Sequence, residues 1–369
     1  MGKNTYGTSV AVTIFGESHG AAVGAVLDGI APGIPVDPEW IRHQLSLRRP
    51  WGSISTGRRE TDEFEILSGV FEGRTTGTPI CIVIRNRDTR SKDYAATRAL
   101  ARPGHADYTA YEKYHGFEDY RGGGHFSGRV TAGLVAAGAV ALAALKGKGI
   151  LVGTHIARCG GVADAALPDQ FSLLSDQIRS LSEKRFAVLD EQRGEEMQAV
   201  IRAAAEQGDS VGGILETAVA GLPAGVGEPW FDTLEGCLSH MLFSVPAVKG
   251  VEFGAGFDMA DARGSEFNDP FRMENGEVRT RTNHNGGVNG GITNGMPVLF
   301  RCMVKPTPSI YRSQETVNFQ EGINAELQLQ GRHDPAIVHR ARVVVDSVTA
   351  LVLCDLLALR FGTDWLRGE

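Results

Sequence analysis

A glycine-rich stretch near the front of this chain returns 218 residues later. Gly69-Val70-x-x-Gly73-x-Thr75-x-Gly77-x-Pro79-Ile80 recurs as Gly287-Val288-x-x-Gly291-x-Thr293-x-Gly295-x-Pro297-Val298. A weaker echo in the same order pairs Gly29-Ile30-x-x-Gly33-Ile34 with Gly221-Leu222-x-x-Gly225-Val226. An internal repeat constrains a fold more than any local signal, because both copies must adopt one supersecondary unit. In each copy the turn opens onto a strand-like run, residues 80–84 and 298–304, followed by a polar loop and a long helix.

The first of those helices is expected from Ser127 to Leu145, and its near-uniform apolarity requires cover on all sides. The second is expected from Ala336 to Arg360, where Val344, Val348, Leu351 and Val352 follow a helical period that one polar residue, Asp355, interrupts. The pair reads as the centre of a pseudo-symmetric α+β body flanked by antiparallel sheets drawn from residues 10–83 and 210–304. The repeats span about 10–147 and 209–362 of a single domain. Residues 150–208, with a strand at 150–158 and an amphipathic helix near 195–207, read as their connector.

Composition narrows the function classes. The 47 glycines among 369 residues exceed the usual share of about 7% and demand many special backbone positions. The longest strictly apolar run, Ala132 to Leu145, is 14 residues, short of the ~18 to 20 that a membrane span needs. The first residues lack an apolar signal region, so the cytoplasm is the expected compartment. Five scattered cysteines suit neither a disulfide framework nor a metal site, and the histidines lack zinc spacing. A net charge of -7 argues against nucleic-acid or membrane-surface binding. Between Arg42 and Arg129, however, stand 13 arginines and only two lysines, a bias that fits small ligands bearing carboxylates or phosphates.

Several polar motifs punctuate the chain. Gly16-Glu17-Ser18-His19-Gly20 ends a strand and matches the G-x-S-x-G pattern, which admits a serine hydrolase, although the following residues are strand-like where a nucleophile elbow needs a helix. Arg102-Pro-Gly-His105-Ala-Asp107 presents a histidine at a helix start. Arg121-Gly-Gly-Gly124-His125-Phe126-Ser127-Gly-Arg129 offers backbone N–H groups to an anion ahead of a helix, with Ser127 as its N-cap. Asn283 to Gly291 is a second glycine-rich loop. Asp334-Pro335 reads as an N-cap with proline at the first helical position.

Taken in order, Phe15-Gly-Glu-Ser-His-Gly20, Arg102-Pro-Gly-His-Ala-Asp107, Tyr120-Arg-Gly-Gly-Gly124, Lys305-Pro-Thr307 and Gly331-Arg-His-Asp-Pro335 resemble the chorismate synthase family across nearly the whole chain. The resemblance implies a duplicated β-α-β sandwich assembled as a homotetramer. It implies a flavin-dependent carbon–oxygen lyase of the shikimate pathway, converting 5-enolpyruvylshikimate 3-phosphate to chorismate and phosphate by 1,4-anti elimination. Reduced FMN is required without net redox change, with NADPH as a possible reductant. Carried onto this chain, His19 protonates the departing phosphate with Ser18 in the relay. His105 favours the reduced anionic flavin, and Asp334 with Ser127 assists proton removal. Arg48, Arg49, Arg102, Arg129 and Arg332 hold substrate anions, Arg332 also facing the flavin. FMN contacts fall to His125, Phe126, Ser127, Pro246, Ala247, Gly290, Lys305, Pro306, Thr307, Pro308 and Ser309. The chain departs from the family pattern at His125-Phe126, where relatives continue the triglycine with arginine, and at Trp51 to Ile54. A binding protein without turnover is the non-enzymatic alternative.

Overall fold

The computed structural model describes residues 4–57, 61–87, 98–168, 171–329 and 333–368. The first half runs β1 (Thr5–Tyr6), β2 (Ala11–Gly16), β3 (Ala22–Asp28), α1 (Pro38–Arg48), β4 (Phe64–Ile66), β5 (Val70–Phe71), β6 (Arg74–Thr75), β7 (Ile80–Arg85), α2 (Asp107–Tyr114) and α3 (Thr131–Gly147). The second opens with β8 (Leu151–Cys159), β9 (Val162–Ala163), α4 (Phe171–Glu183), α5 (Glu191–Glu206), β10 (Gly213–Ala220), α6 (Leu234–Ser244) and β11 (Val248–Phe253). It continues through α7 (Gly264–Phe267), β12 (Phe271–Glu274), β13 (Glu277–Thr280), β14 (Val288–Asn289), β15 (Ile292–Thr293), β16 (Val298–Val304), β17 (Gln314–Asn318), β18 (Ile323–Leu327) and α8 (Val338–Phe361).

Two five-stranded antiparallel sheets have the orders β1-β2-β3-β7-β4 and β11-β16-β10-β8-β9. Read backwards, the second contains β8-β10-β16-β11, which matches β2-β3-β7-β4 strand for strand. The strand expected in the connector is therefore β8, the counterpart of β2, and it pairs with β10 along its length. The second sheet draws on residues 151–304 rather than 210–304, and the added segment is β9, α4 and α5, inserted between β8 and β10.

Thr75 and Thr293 explain why the repeat is visible. Both are buried. Thr75 Oγ1 donates to the Ala31 carbonyl at 2.6 Å and accepts from Ile34 N–H at 3.0 Å. Thr293 Oγ1 donates to the Pro223 carbonyl at 2.7 Å and accepts from Val226 N–H at 2.9 Å. Paired backbone bonds repeat the pattern, Gly33 with Thr75 and Gly225 with Thr293. The two echoes in the sequence are thus the two sides of one tie, in which a hydroxyl satisfies loop groups that burial would otherwise strand.

The core lies where α3 and α8 pack side by side, α3 resting on β3 and β7, α8 on β8 and β10. Gly138 allows the close crossing, since a Cβ there would lie 2.3 Å from Ser347 Cβ. Gly133 does the same toward β3, where a Cβ would come within 2.5 Å of the Gly24 carbonyl oxygen. By length and composition Gly128–Gly147 is apolar enough to cross a membrane, but it is 78% buried inside the protein. In α8 every residue from Val338 to Ala358 except Arg340 is buried. Its odd polar position, Asp355, accepts the backbone N–H groups of Thr8, Ser9 and Val10 at 2.6 to 3.1 Å and so pins the start of β2.

The helix starts differ from expectation. A short turn at Gly128–Val130 precedes α3, and α8 begins at Val338 with Ile337 at its N-cap, where no side chain caps the helix. The expectation that Asp334 and Pro335 open the last helix is corrected. The Asp334 carboxylate is drawn instead to the Thr56 N–H and to Arg340, which keeps residues 334–337 out of the helix.

His155 of β8 fastens the inserted segment. Its Nδ1 meets Asp164 Oδ2 at 2.8 Å and its Nε2 meets Glu216 Oε2 at 2.9 Å. Burial opposes a charge on this ring, but the two carboxylates outweigh it and raise its pKa. Asp164 also accepts the N–H groups of Leu189 and Asp190 just ahead of α5.

Thr75→Val and Thr293→Val should each lower unfolding free energy by about 1–3 kcal/mol in urea melts, the usual cost of stranding a buried polar group. A cost at one site alone would mean that the tie is not shared by the halves. His155 has a folded pKa above its unfolded value of about 6.5, so its stabilisation is complete below that pH and fades as pH rises through the folded pKa. His155→Gln should flatten that slope in melts recorded from pH 6 upward, and an unchanged slope would show that the ring does not hold the proton.

Candidate active site

The first turns of α3 and α8 open onto a cavity of about 800 Å³, lined by Thr131 and Leu134 of one and Ile337, Ala341 and Val344 of the other. Its size falls in the upper part of the ~300–1,000 Å³ range of small-molecule clefts. Among the described residues seven cations line it (Arg48, Arg49, Arg98, Arg102, Arg129, Lys305, Arg340) against five carboxylates (Asp62, Asp107, Glu118, Asp119, Asp334). In a protein of net charge -7 this local positive excess selects anions.

A buried carboxylate organises one wall. Asp62 faces Arg48 Nη2 at 3.3 Å, Arg49 Nε at 3.7 Å and, more closely, Arg129 Nη1. Burial pushes against its ionisation, yet the Arg48 and Arg129 guanidinium groups hold its pKa below the usual carboxylate range. Burial lowers the Arg48 pKa to about 10, and that side chain remains cationic at neutral pH. Arg129 Nε donates to Asn86 Oδ1 at 2.9 Å. Arg102 is engaged bidentately by Asp107 at 2.7 Å, and Arg98 lies over the Tyr120 ring.

Another part of the wall, next to Arg102, carries His105, whose Nε2 meets Ser309 Oγ at 2.6 Å. Burial, with Arg102 and Lys305 nearby, lowers its pKa to about 4, so the imidazole is neutral at physiological pH. Lys305 Nζ donates to the Gly104 carbonyl at 2.6 Å. Gly104, at φ +71°, has Pro308 and Lys305 against the space a Cβ would take. Thr307 Oγ1 lines the same wall, buried and without a hydrogen-bond partner among the described residues. Pro246, Ala247 and Phe126 complete it.

Ser18 and His19 are buried just behind the triglycine. All three glycines have positive φ, and a Cβ at Gly122 would come within 2.3 Å of the His19 ring and 3.1 Å of Ser18 Oγ. The expected role of this loop, presenting N–H groups to an anion, is corrected in part: Gly123 N–H goes to the Tyr120 carbonyl, and the Gly124 carbonyl accepts from Ser18 and Ser127. Glycine is needed here for close approach to His19. The elbow reading of Ser18 also fails, because β2 leads into the antiparallel β3 and not into a helix.

Other expected site residues are divided between the cavity and its surroundings. Ser127 lines the cavity and its Oγ accepts from Arg129 N–H at 3.3 Å. His125 lines the cavity too, but its Nδ1 faces the Gly16 carbonyl at 2.8 Å. Ser309 lies behind His105, and Pro306 packs against Gly212 away from the cavity. Gly290 sits in the turn between β14 and β15, outside the cavity wall. Arg332 lies outside the described residues. Asp334 lines the cavity with Oδ1 on Thr56 N–H at 2.9 Å and Oδ2 on Arg340. Sequence reasoning missed Asp62 and Arg340; an acidic residue soon after an arginine pair was the only available signal for the first.

Comparison with known proteins agrees with the fold and the motifs. A model of the chorismate synthase family matches residues 10–358. A chorismate synthase of Dehalococcoides mccartyi is 48% identical over 361 residues, 98% of either chain. One from Thermococcus kodakarensis is 46% identical over 354 residues, covering 96% of this chain and 97% of the relative. A crystal structure of chorismate synthase superposes with a TM-score of 0.77 at 29% identity, covering 97% of this chain and 94% of that one. A duplicated α+β body of matching fold, with a cation-rich cavity between its halves, accompanies a family match over nearly the whole sequence, and the chain belongs to the chorismate synthase family.

Proposed function

We propose that this lyase, which converts 5-enolpyruvylshikimate 3-phosphate to chorismate and phosphate in the shikimate pathway, works with reduced FMN in the cavity between α3 and α8. The observation that carries the reading is the excess of cations around an 800 Å³ cavity, with three arginines organised by one buried carboxylate. A substrate with two carboxylates and a phosphate, together with the phosphate of FMN, needs such a lining. The neutral His105 beside Lys305, and the unsatisfied Thr307 hydroxyl on the same wall, fit a polar planar cofactor with a phosphate tail.

When bound, reduced FMN supplies electron density that eases phosphate departure and accepts the C6 proton at N5. The protein positions the groups and manages protons. Arg48, Arg49, Arg102 and Arg129 hold the substrate anions. His19, packed behind Gly122, is the proton source for the departing phosphate as its C–O bond breaks, with Ser18 in the relay. Lys305, Thr307 and Pro308, with Phe126, Pro246 and Ala247, would hold the cofactor, and the neutral His105 beside it would favour its anionic reduced form. Asp334, with Ser127 in the relay, would assist removal of the C6 proton from N5. Gly290, Pro306 and Ser309 belong to the cofactor set at one remove and His125 joins it at the cavity, while Arg332, outside the described residues, is assigned to both the substrate and the flavin anions. A homotetramer, a cytoplasmic setting and NADPH as flavin reductant complete the reading.

The deciding experiment is an anaerobic assay of phosphate release from the phosphorylated substrate. Release should require reduced FMN, should not consume it stoichiometrically and should be absent with oxidised FMN. Full-rate chorismate formation without flavin would overturn the cofactor reading while leaving the lyase activity in place.

A further inference from the structure

Three residues around the start of α8 fasten one loop of the first half. Residues 48–56 leave the C-terminal end of α1 and pass along the cavity, carrying Arg48 and Arg49 at one end and Thr56 at the other. Arg340 Nε donates to the Arg48 carbonyl at 2.8 Å. Asp334 Oδ1 accepts from Thr56 N–H at 2.9 Å. His339 Nε2 meets Ser55 Oγ at 2.8 Å, and burial lowers the pKa of that imidazole to about 3, leaving it a neutral partner. Within this latch Arg340 has a second contact, from Nη1 to Asp334 Oδ2. One guanidinium therefore joins the backbone beside the arginine cluster to the carboxylate on the far side of the loop.

We propose that Arg340 is a positioning residue for the elimination. It orients the Asp334 carboxylate against the cavity and locks that carboxylate to the arginine wall, so that proton handling and anion binding keep one geometry. This inference rests on the reading of Asp334 as the proton-handling carboxylate. Both oxygens of Asp334 have a fixed donor, one from the loop and one from α8, which leaves the group little freedom to rotate. The short segment between Asp334 and α8 is what lets the aspartate fold back over the first helical turn to reach Arg340. Lysine cannot reproduce the arrangement, since it lacks the planar fork that reaches a carbonyl and a carboxylate together.

The test compares Arg340→Gln, Asp334→Asn and the double variant in the reduced-FMN assay, with Arg340→Lys as the conservative partner. Asp334→Asn should lower kcat by about 10² to 10⁴ fold, the range for a lost acid–base group. Arg340→Gln should lower kcat by about 10 to 100 fold with KM changed far less, and Arg340→Lys should recover part of it. The double variant should be no slower than Asp334→Asn alone, because Arg340 acts through that carboxylate. Losses that multiply in the double variant, or an Arg340→Gln effect carried wholly by KM, would overturn the positioning role and make Arg340 a direct anion ligand. Near-normal kcat in Asp334→Asn would overturn the reading beneath it instead. If Arg340→Gln fails to fold, the same cycle is run with Arg340→Lys, and losses that multiply there overturn the positioning role equally.

Discussion

The close crossing of α3 and α8 governs the rest of the molecule. Gly138 removes the side chain that would collide with Ser347, and the two helices then lie near enough for their first turns to share one cavity. Each sheet buries its inner face against this pair, which is why α3 can be apolar nearly all round and α8 almost wholly enclosed. Features distant in the chain gain their positions from it. Arg129 sits in the turn that leads into α3, Asp334 just ahead of α8, and the loop after α1 is held between them.

Electrostatics at the cavity are resolved by pairing and not by solvent. Asp62 lies enclosed by Arg48, Arg49 and Arg129, a grouping in which removing one partner of a buried charge commonly costs about 3–5 kcal/mol. The carboxylate leaves this wall cationic while fixing where its guanidinium groups point. The same logic operates beside the insertion, where two carboxylates raise the pKa of His155 against the effect of its burial. One cluster prepares for an anion and the other closes upon itself.

Much of the architecture was legible because the duplication writes the same hydrogen bonds twice. Thr75 and Thr293 recur since each satisfies a loop of its own half, and the matching spacing exposes them in the bare sequence. The counterpart of β2 was not legible, because α4 and α5 part β8 from β10 in sequence and only pairing reunites them. Asp334 misled for a physical reason: an aspartate before a proline has the local chemistry of an N-cap, and a longer-range pull from Thr56 and Arg340 overrides it. Asp62 could not be read as central, since its place soon after an arginine pair does not by itself show that Arg129, 67 residues on, will join Arg48 and Arg49 around it. The histidine and glycine motifs were legible as a set, but the reason for the triglycine, contact with His19, needed the folded chain.

The cavity lies at the seam of the two halves, and this location bears on how such a protein can arise. A chain with a single copy of the unit would own only part of the lining, and two such chains facing each other across a twofold axis would complete the enclosure with identical sets of residues. Joining the copies into one polypeptide releases each set from that identity. Here the first half has contributed Arg48, Arg49, Arg98, Arg102, His105 and Arg129 to the lining, while the second contributes Pro246, Ala247, Lys305, Thr307, Asp334 and Arg340. With the two copies in one chain and their linings unlike, the cavity is handed, able to tell the two ends of an unsymmetrical guest apart.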